Sequence, residues 1–452
     1  MRRRHSLRLA LTVVLATLAL AVPSGQSGRS PAMARPHVLL IVADDLGIGE
    51  VSAYGATDVR TPSIDRLGRE GVRFTSAYAN APVCSPTRAA LMTGQHPPMV
   101  GVPGVIRTDP ANSWGALRRD LRLLPEALRA VGYRTAAVGK WHLGLEPGDH
   151  PMDRGFDAFT GFLGDMMDDY VTHRRHGINY MRDGRDAIDP AGHATDLFTR
   201  WAVEAVDRHD PRSPLFLYLA YNAPHVPIQP TAASLAEVRA RIPGIAEPRA
   251  KLLALVEHMD AGIGQVVAAL ERKRMLDDTL VIFTSDNGGE VPAGATNNGL
   301  RGGKPTLHEG GLRIPTVVRW PHAAFAGRSE GTPIQSMDLA PTIAGVAQAV
   351  LGPDVAGRDL RPLLAGAPWA PRDLLFSIRE GPRLGGQAVY AMRRGAWTLV
   401  QHRPRAPFEL FNLDDDPLQK VDRSGDVNTP QRAMVESLQS FIARAEAVPY
   451  RR

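Results

Sequence analysis

Apolar and polar positions fall into alternating blocks along this chain, and four of the apolar blocks end alike. "HVLLIVADD" stops on Asp44 and Asp45, and "YRTAAVGKWH" runs into Lys140 and His142. "PLFLYLAYNAPH" reaches His225, and "DTLVIFTSDNGGE" reaches Asp286 and Asn287. Short continuous apolar runs of this kind predict buried strands. Between them, helical spacing predicts helices over 86–93, 118–131, 195–207, 249–273 and 337–349. The clearest places Leu252, Leu255, Val256, Met259, Ile263, Val266, Val267 and Leu270 on one stripe. Strands alternating with helices predict an α/β domain, a large mostly parallel or mixed sheet sandwiched by helices. Ligands of such sheets bind beyond the carboxyl ends of the strands, so the four polar endings are expected to converge on one site.

The texture changes after about residue 372. "QAVYAMRRGAWTLVQH" predicts an antiparallel hairpin, "FELFNLDDDPLQK" a further short strand and "TPQRAMVESLQSFIARAEA" a terminal amphipathic helix. Thr429 is the expected cap of that helix and Pro430 its first residue. The expected organisation is a catalytic α/β domain over 35–371 and a small α+β domain over 372–452.

The first 34 residues read as an export signal. Arg2, Arg3 and Arg4 precede the apolar "LRLALTVVLATLALAV", small residues follow, and cleavage after Ala21 or Ala34 is expected. The apolar run is short for a membrane span, so no stable anchor is expected, and the mature protein is expected outside the cytoplasm. This segment also explains the net charge of +6, because five arginines and no acid lie in it. Without it, 48 basic residues face 47 acidic ones, and charge gives no support to nucleic-acid binding.

Export makes Cys84 conspicuous, since one cysteine forms no internal disulfide. It is an inert buried residue, an intermolecular link or a reactive group. It sits at the predicted start of a helix in "CSPTR", with Pro86 early in the helix and Arg88 about one turn in. Unpaired N–H groups and the helix dipole favour an anion there, and lower a thiol pKa. Arg88 adds a planar fork suited to tetrahedral oxyanions. Asp44, Asp45, Asp286 and Asn287 offer only oxygen, which suits Ca²⁺ or Mg²⁺ rather than zinc. Lysine is scarce, with five against 48 arginines, yet Lys140 and Lys304 both fall in glycine-flanked loops, where a compact point charge is the simple reading.

"VCSPTRAALMTG" resembles the signature of the type I, formylglycine-dependent sulfatases of the alkaline phosphatase superfamily. "LLIVADDLG", "VGKWHLG", "RGFDAFTGF", "APHVP", "FTSDNGGE", "LRGGKPTLHEGGLRIP", "SMDLAPTIAGVA" and "ELFNLDDDP" accompany it in order, over about residues 37–420. The resemblance implies that Cys84 is oxidised to Cα-formylglycine by a formylglycine-generating enzyme, and that the hydrated aldehyde attacks sulfur. It implies Ca²⁺ ligation by Asp44, Asp45, Asp286, Asn287 and residue 84. Arg88, with the cation, is then expected to hold the ionised hydrate oxygen and position the sulfate, Lys140 and Lys304 to offset charge on the sulfuryl oxygens, His225 to bind sulfate and with Lys304 help protonate the leaving oxygen, and His142 to act as base or orienting partner. His308 stands where the family often has an aromatic residue, and no catalytic role is expected for it. The implied reaction is hydrolysis of a carbohydrate or aryl sulfate monoester. The alternatives are a phosphonate monoester or phosphodiester hydrolase of the same superfamily and, less favoured, a secreted binding protein without chemistry. In the charged stretch 165–186, His173, Arg174 and Arg175 are candidates to contact a sugar carboxylate or a second sulfate.

Overall fold

In the computed structural model, residues 35–320, 326–381, 383–427 and 429–450 are described. The expected export signal lies outside them. Ten strands form the main sheet: β1 (His37–Ala43), β2 (Val72–Phe74), β3 (Arg134–Lys140), β4 (Ala158–Phe162), β5 (Met181–Asp183), β6 (Asp186–Ala187), β7 (Leu215–Ala220), β8 (Thr279–Ser285), β9 (Thr316–Arg319) and β10 (Arg328–Glu330). Their order across the sheet is β10-β2-β9-β8-β1-β7-β3-β4-β5-β6. The five strands from β8 to β4 are mutually parallel. Antiparallel pairs flank them, β8 with β9 on one side and β4 with β5 on the other. The sheet is therefore mixed, with the parallel part at its centre.

The apolar run of β1 is continuous because both faces of the sheet are covered. Leu39 and Ile41 pack on one side with Ile64 and Leu67 of α1 (Pro62–Glu70), Phe198 of α4 (Ala194–Arg208) and the stripe of α5 (Glu247–Arg272). Val38, Leu40 and Val42 face the other way, against Ala89 and Leu91 of α2 (Cys84–Thr93), Leu124 and Leu128 of α3 (Leu124–Ala130) and Ile343 of α6 (Leu339–Val346). Period-two alternation on the strand thus serves two helical layers at once.

Three expected boundaries move. The helix expected from 118 begins only at Leu124, where Pro125 enters its first turn and the Glu126 carboxylate accepts the backbone N–H of Leu123. The helix expected over 337–349 is a 3₁₀ turn, Ser336–Asp338, followed by α6. The last helix, α7 (Gln431–Ala447), starts one residue late, with Pro430 rather than Thr429 at the cap.

A second sheet, separate and antiparallel, is formed by β11 (Leu374–Glu380), β12 (Gln387–Arg394), β13 (Trp397–Val400) and β14 (Glu409–Asn412) in chain order. The first of these strands was not expected from the sequence. One face packs Met392, Leu399 and Leu410 against Met434, Leu438 and Phe441 of α7. The other packs Phe376, Ile378, Val389 and Phe411 against Tyr78, Val83, Leu307 and Leu312. Val83 immediately precedes Cys84, so this sheet supports the start of α2.

Gly139 lies within β3 at φ +98°, and a Cβ there would sit 1.9 Å from the Ala220 carbonyl oxygen. Only glycine lets β3 and β7 stay paired next to Lys140. Gly139→Ala is expected to cost about 2–3 kcal/mol by thermal unfolding; unchanged stability would contradict this account of the strand.

Candidate functional site

The four polar strand endings meet. Asp44 and Asp45 follow β1, Lys140 ends β3 with His142 two residues on, Asn222 to His225 follow β7, and Asp286 and Asn287 follow β8. Backbone bonds knit the ends together: Asp44 N–H donates to Ala223, and Asp286 N–H to Ala43. Cys84 starts α2 beside them, its Sγ 3.7 Å from Asp45 Oδ1 and 3.8 Å from Lys304 Nζ. Asp45 and His142 hold left-handed backbone conformations, with φ of 64° and 60°. Non-glycine residues pay for this in strain, which collects at functional sites.

Three carboxylates and three cations are packed here. Arg88 is fully buried and donates through Nε (2.9 Å) and Nη2 (2.7 Å) to Asp286 Oδ2, with Nη2 also 3.4 Å from Asp44 Oδ1. Lys140 Nζ donates to Asp44 Oδ2 at 2.6 Å, both side chains wholly inaccessible. Lys304 Nζ donates to Asp45 Oδ2 at 2.7 Å. Burial opposes ionisation of Asp44, but Lys140, His225 and Arg88 outweigh it and hold the carboxyl well below its usual range. Asp286 goes the other way, because burial and the nearby Asp44 push it up against the pull of Arg88.

The crowding has a chemical meaning. Asp44 Oδ1 and Asn287 Oδ1 are buried without a hydrogen-bond partner among the described residues. Ligand atoms of Asp44, Asp45, Cys84 and His225 lie within 4.8 Å of one another. Unsatisfied buried oxygen and crowded carboxylates are what a hard divalent cation relieves, so the residues present fit such an ion. Asp286 and Asn287 border the same group: Asp286 Oδ1 accepts the backbone N–H of Asp45 (3.1 Å), and Asn287 Nδ2 donates to Asp45 Oδ1 (2.8 Å).

Two histidines have defined roles. His142 Nε2 donates to the Ile106 carbonyl at 2.7 Å, leaving Nδ1 buried with its lone pair free of any described partner. Burial, with Lys140 and Arg88 nearby, holds His142 neutral, far below its usual range. His225 Nδ1 donates to the Val226 carbonyl (2.6 Å), so its Nε2 accepts from Lys304 Nζ at 3.0 Å. Burial and Lys304 lower His225 to about 4. Tyr170, which sequence patterning gave no reason to select, donates its hydroxyl to the Asn222 carbonyl (2.6 Å) and lies 2.9 Å from that of His225.

The thiol corrects one expectation. A helix N-terminus was expected to favour thiolate, but burial, followed by Asp286 and Asp44, pushes the Cys84 thiol well up. As cysteine, residue 84 is a protonated and poor nucleophile.

A cavity of about 270 Å³ opens over Cys84, His142, His225 and Lys304. Of the three substrate candidates, only Arg175 lines it. His173 is buried, with Nε2 donating to the Gly192 carbonyl, and Arg174 pairs with Asp189 at the surface. Arg107, Asp165, Glu290 and Glu380 also line the cavity. Glu290 ends "FTSDNGGE" and Asp165 opens the charged stretch 165–186, but no motif marked Arg107 or Glu380, which a contact across 273 residues of chain brings together. His308 lies elsewhere, its ring 6.2 Å from Phe411 in an edge-on contact, in keeping with a packing role.

A family model described as "Sulfatase" matches residues 36–349. A second, "N-sulphoglucosamine sulphohydrolase, C-terminal", matches 303–444. The chain is 30% identical to mouse arylsulfatase J, over 94% of this chain and 78% of that protein. It is 34% identical to mouse steryl-sulfatase, over 83% and 72% respectively. The crystal structure of Ps i-CgsB in complex with k-i-k-neocarrahexaose superposes with a TM-score of 0.83 at 30% identity, covering 92% of this chain and 94% of that one.

Removing Arg88 leaves Asp44 and Asp286 buried and under-compensated. Arg88→Met is expected to cost about 3–5 kcal/mol in denaturant unfolding with chelator present; a change below about 1 kcal/mol would show that the guanidinium does not hold the centre together.

Proposed function

This chain belongs to the sulfatase family of the alkaline phosphatase superfamily and is a sulfuric ester hydrolase, and from that premise we propose how its centre works. Residue 84 acts after conversion of Cys84 to Cα-formylglycine by a formylglycine-generating enzyme. Asp44, Asp45, Asp286, Asn287 and residue 84 hold a divalent cation, Ca²⁺ foremost. The observation that carries the proposal is the setting of Cys84: a thiol kept protonated, at a helix start, within contact distance of Asp45 and Lys304. A thiol there has little use as a nucleophile, whereas an oxygen at the same position faces cations on one side and open cavity on the other.

The converted side chain, as its hydrate, would supply one oxygen to attack sulfur and a second hydroxyl through which sulfate is expelled. The cation would add positive charge beside the sulfuryl oxygens and the nucleophile. The protein supplies the rest. Arg88, Lys140 and Lys304 balance the three carboxylates one for one, so a bound divalent cation leaves the centre positive and suited to an anionic ester. Lys304 is kept protonated by Asp45 despite its burial, and His225 accepts one of its N–H groups, which fixes its direction. We therefore assign protonation of the departing alcohol oxygen to Lys304, with His225 orienting it. His142 lines the cavity and keeps a buried, unprotonated Nδ1 without a described partner, and we assign it the proton of the second hydroxyl. The substrates proposed are sulfated small molecules or glycans, met outside the cytoplasm after export.

Turnover of 4-nitrophenyl sulfate is expected to exceed that of a 4-nitrophenyl phosphonate monoester in kcat/KM. Faster phosphonate cleavage would favour phosphoryl chemistry instead. Cys84→Ala is expected to lower kcat by at least roughly 10⁴-fold with the fold intact by circular dichroism. Full activity of that variant would remove residue 84 from the reaction. Dialysis against chelator is expected to lower both activity and melting temperature, with Ca²⁺ restoring both; indifference to chelator would contradict the cation.

A further inference from the structure

The cavity over Cys84 has walls, and their charge is already spoken for. Arg107 Nη2 donates to both oxygens of Glu380, at 3.1 Å each, and Nη1 donates to the Asn112 carbonyl at 3.0 Å. Arg175 donates through Nε to Asp165 (3.2 Å) and through Nη1 to Asp168 (2.7 Å). Glu290 adds a third cavity carboxylate beside Asp165 and Glu380. Beyond the sulfate centre, two arginines thus stand against three cavity carboxylates and Asp168, and each arginine is engaged before any substrate arrives.

These pairs are built into the fold rather than left on mobile side chains. Glu380 is the last residue of β11, only 8% exposed at the side chain, and Asp165 is 6% exposed. The Arg379 N–H donates to the Pro103 carbonyl at 2.9 Å, and Gly104 pairs with Arg379 as an isolated parallel bridge. A Cβ on Gly104 would lie 2.1 Å from the Arg379 carbonyl oxygen, so the loop before Arg107 is seated directly on the end of β11. Asp165 also accepts from Thr108 Oγ1 at 3.1 Å, which ties both pairs to the same loop.

We propose that Glu380, which neutralises Arg107, and Asp165, which with Asp168 neutralises Arg175, are specificity-determining residues, so that the cavity accepts sulfate esters carrying no second anionic group and rejects those that do. The inference rests on the sulfatase reading above and narrows its substrate class. It also revises the expectation that basic residues of 165–186 receive a sugar carboxylate or second sulfate. A second anion would meet Glu290 and the two paired carboxylates, and would have to break a pair to reach a guanidinium. A hydroxyl-bearing group meets carboxylates that accept its hydrogen bonds without any rearrangement.

The test compares 4-nitrophenyl sulfate with 3- and 4-carboxyphenyl sulfate for the wild-type enzyme, Glu380→Gln and Asp165→Asn. Comparing each variant with wild type cancels the intrinsic reactivity of each ester. The wild type is expected to favour the nitrophenyl ester. Glu380→Gln is expected to raise the carboxyphenyl-to-nitrophenyl ratio of kcat/KM roughly tenfold at low salt and Asp165→Asn by less, because Asp168 still pairs with Arg175, and the gain should shrink in 0.5 M NaCl, roughly three Debye-length-halving steps from dilute buffer. A loss of packing alone would change both esters by one factor and show no salt dependence. The proposal is overturned if the wild type cleaves the carboxyphenyl esters as well as the nitrophenyl ester, or if the ratio stays fixed in both variants. Should either variant fail to fold, the other variant and the wild-type salt dependence still decide it. No turnover of any ester by wild-type protein carrying the converted residue would instead defeat the sulfatase reading, and this proposal with it.

Discussion

Six formal charges gather at the carboxyl end of the parallel strands, all buried except Lys304, which lines the cavity, and the rest of the structure is arranged around keeping them paired. An isolated buried charge costs several kcal/mol, so Asp44, Asp45 and Asp286 are stable there only because Lys140, Lys304 and Arg88 stand against them. The pairing is not complete. Asp44 Oδ1 and Asn287 Oδ1 keep unused lone pairs, and Asp286 is pushed up by its neighbours. A site that is balanced by the protein yet leaves oxygen unsatisfied is suited to gain two positive charges and then an anion. Stability and chemistry therefore draw on the same contacts, and the strained backbone of Asp45 and His142 is tolerated because the surrounding bonds fix it.

The C-terminal sheet has two connected roles. Its inner face packs beside Val83 and supports the first residue of α2, while the end of β11 delivers Glu380 to the cavity wall. The sulfate centre is built from the main sheet, its loops and α2. Selectivity is shared with the second sheet, through a loop that Gly104 allows to lie against β11. Variation in β11 can therefore change which esters enter without disturbing the residues that would cleave them.

The convergence was legible in the sequence because four polar groups lie at or just beyond the ends of apolar strands, as Asp44 follows Ala43 and Asp286 follows Ser285, while Cys84 and Arg88 start a helix and Lys304 lies in a loop. Strand burial fixes the strands, and parallel pairing then brings their ends together. The antiparallel flanks were less legible, since β2, β5 and β9 are only three or four residues long and carry little periodicity. Side-chain direction was not legible at all. Arg174 and Arg175 are adjacent in a short strand, Arg174–Arg175, whose alternation sends one to Asp189 and the other to the cavity. The thiol was misread for a related reason: the helix start is local and visible in "CSPTR", whereas burial and the carboxylates arrive from residues about 40 and 200 positions away.

The central claim is that Cys84 acts as the precursor of another group. Its most direct test is the mass of the tryptic peptide Phe74–Arg88 from enzyme that turns over an aryl sulfate. Replacement of the thiol by an aldehyde predicts a peptide lighter by about 18 Da, by the chemistry of that oxidation, in proportion to specific activity. Fully active enzyme in which this peptide carries only unmodified cysteine would contradict the account.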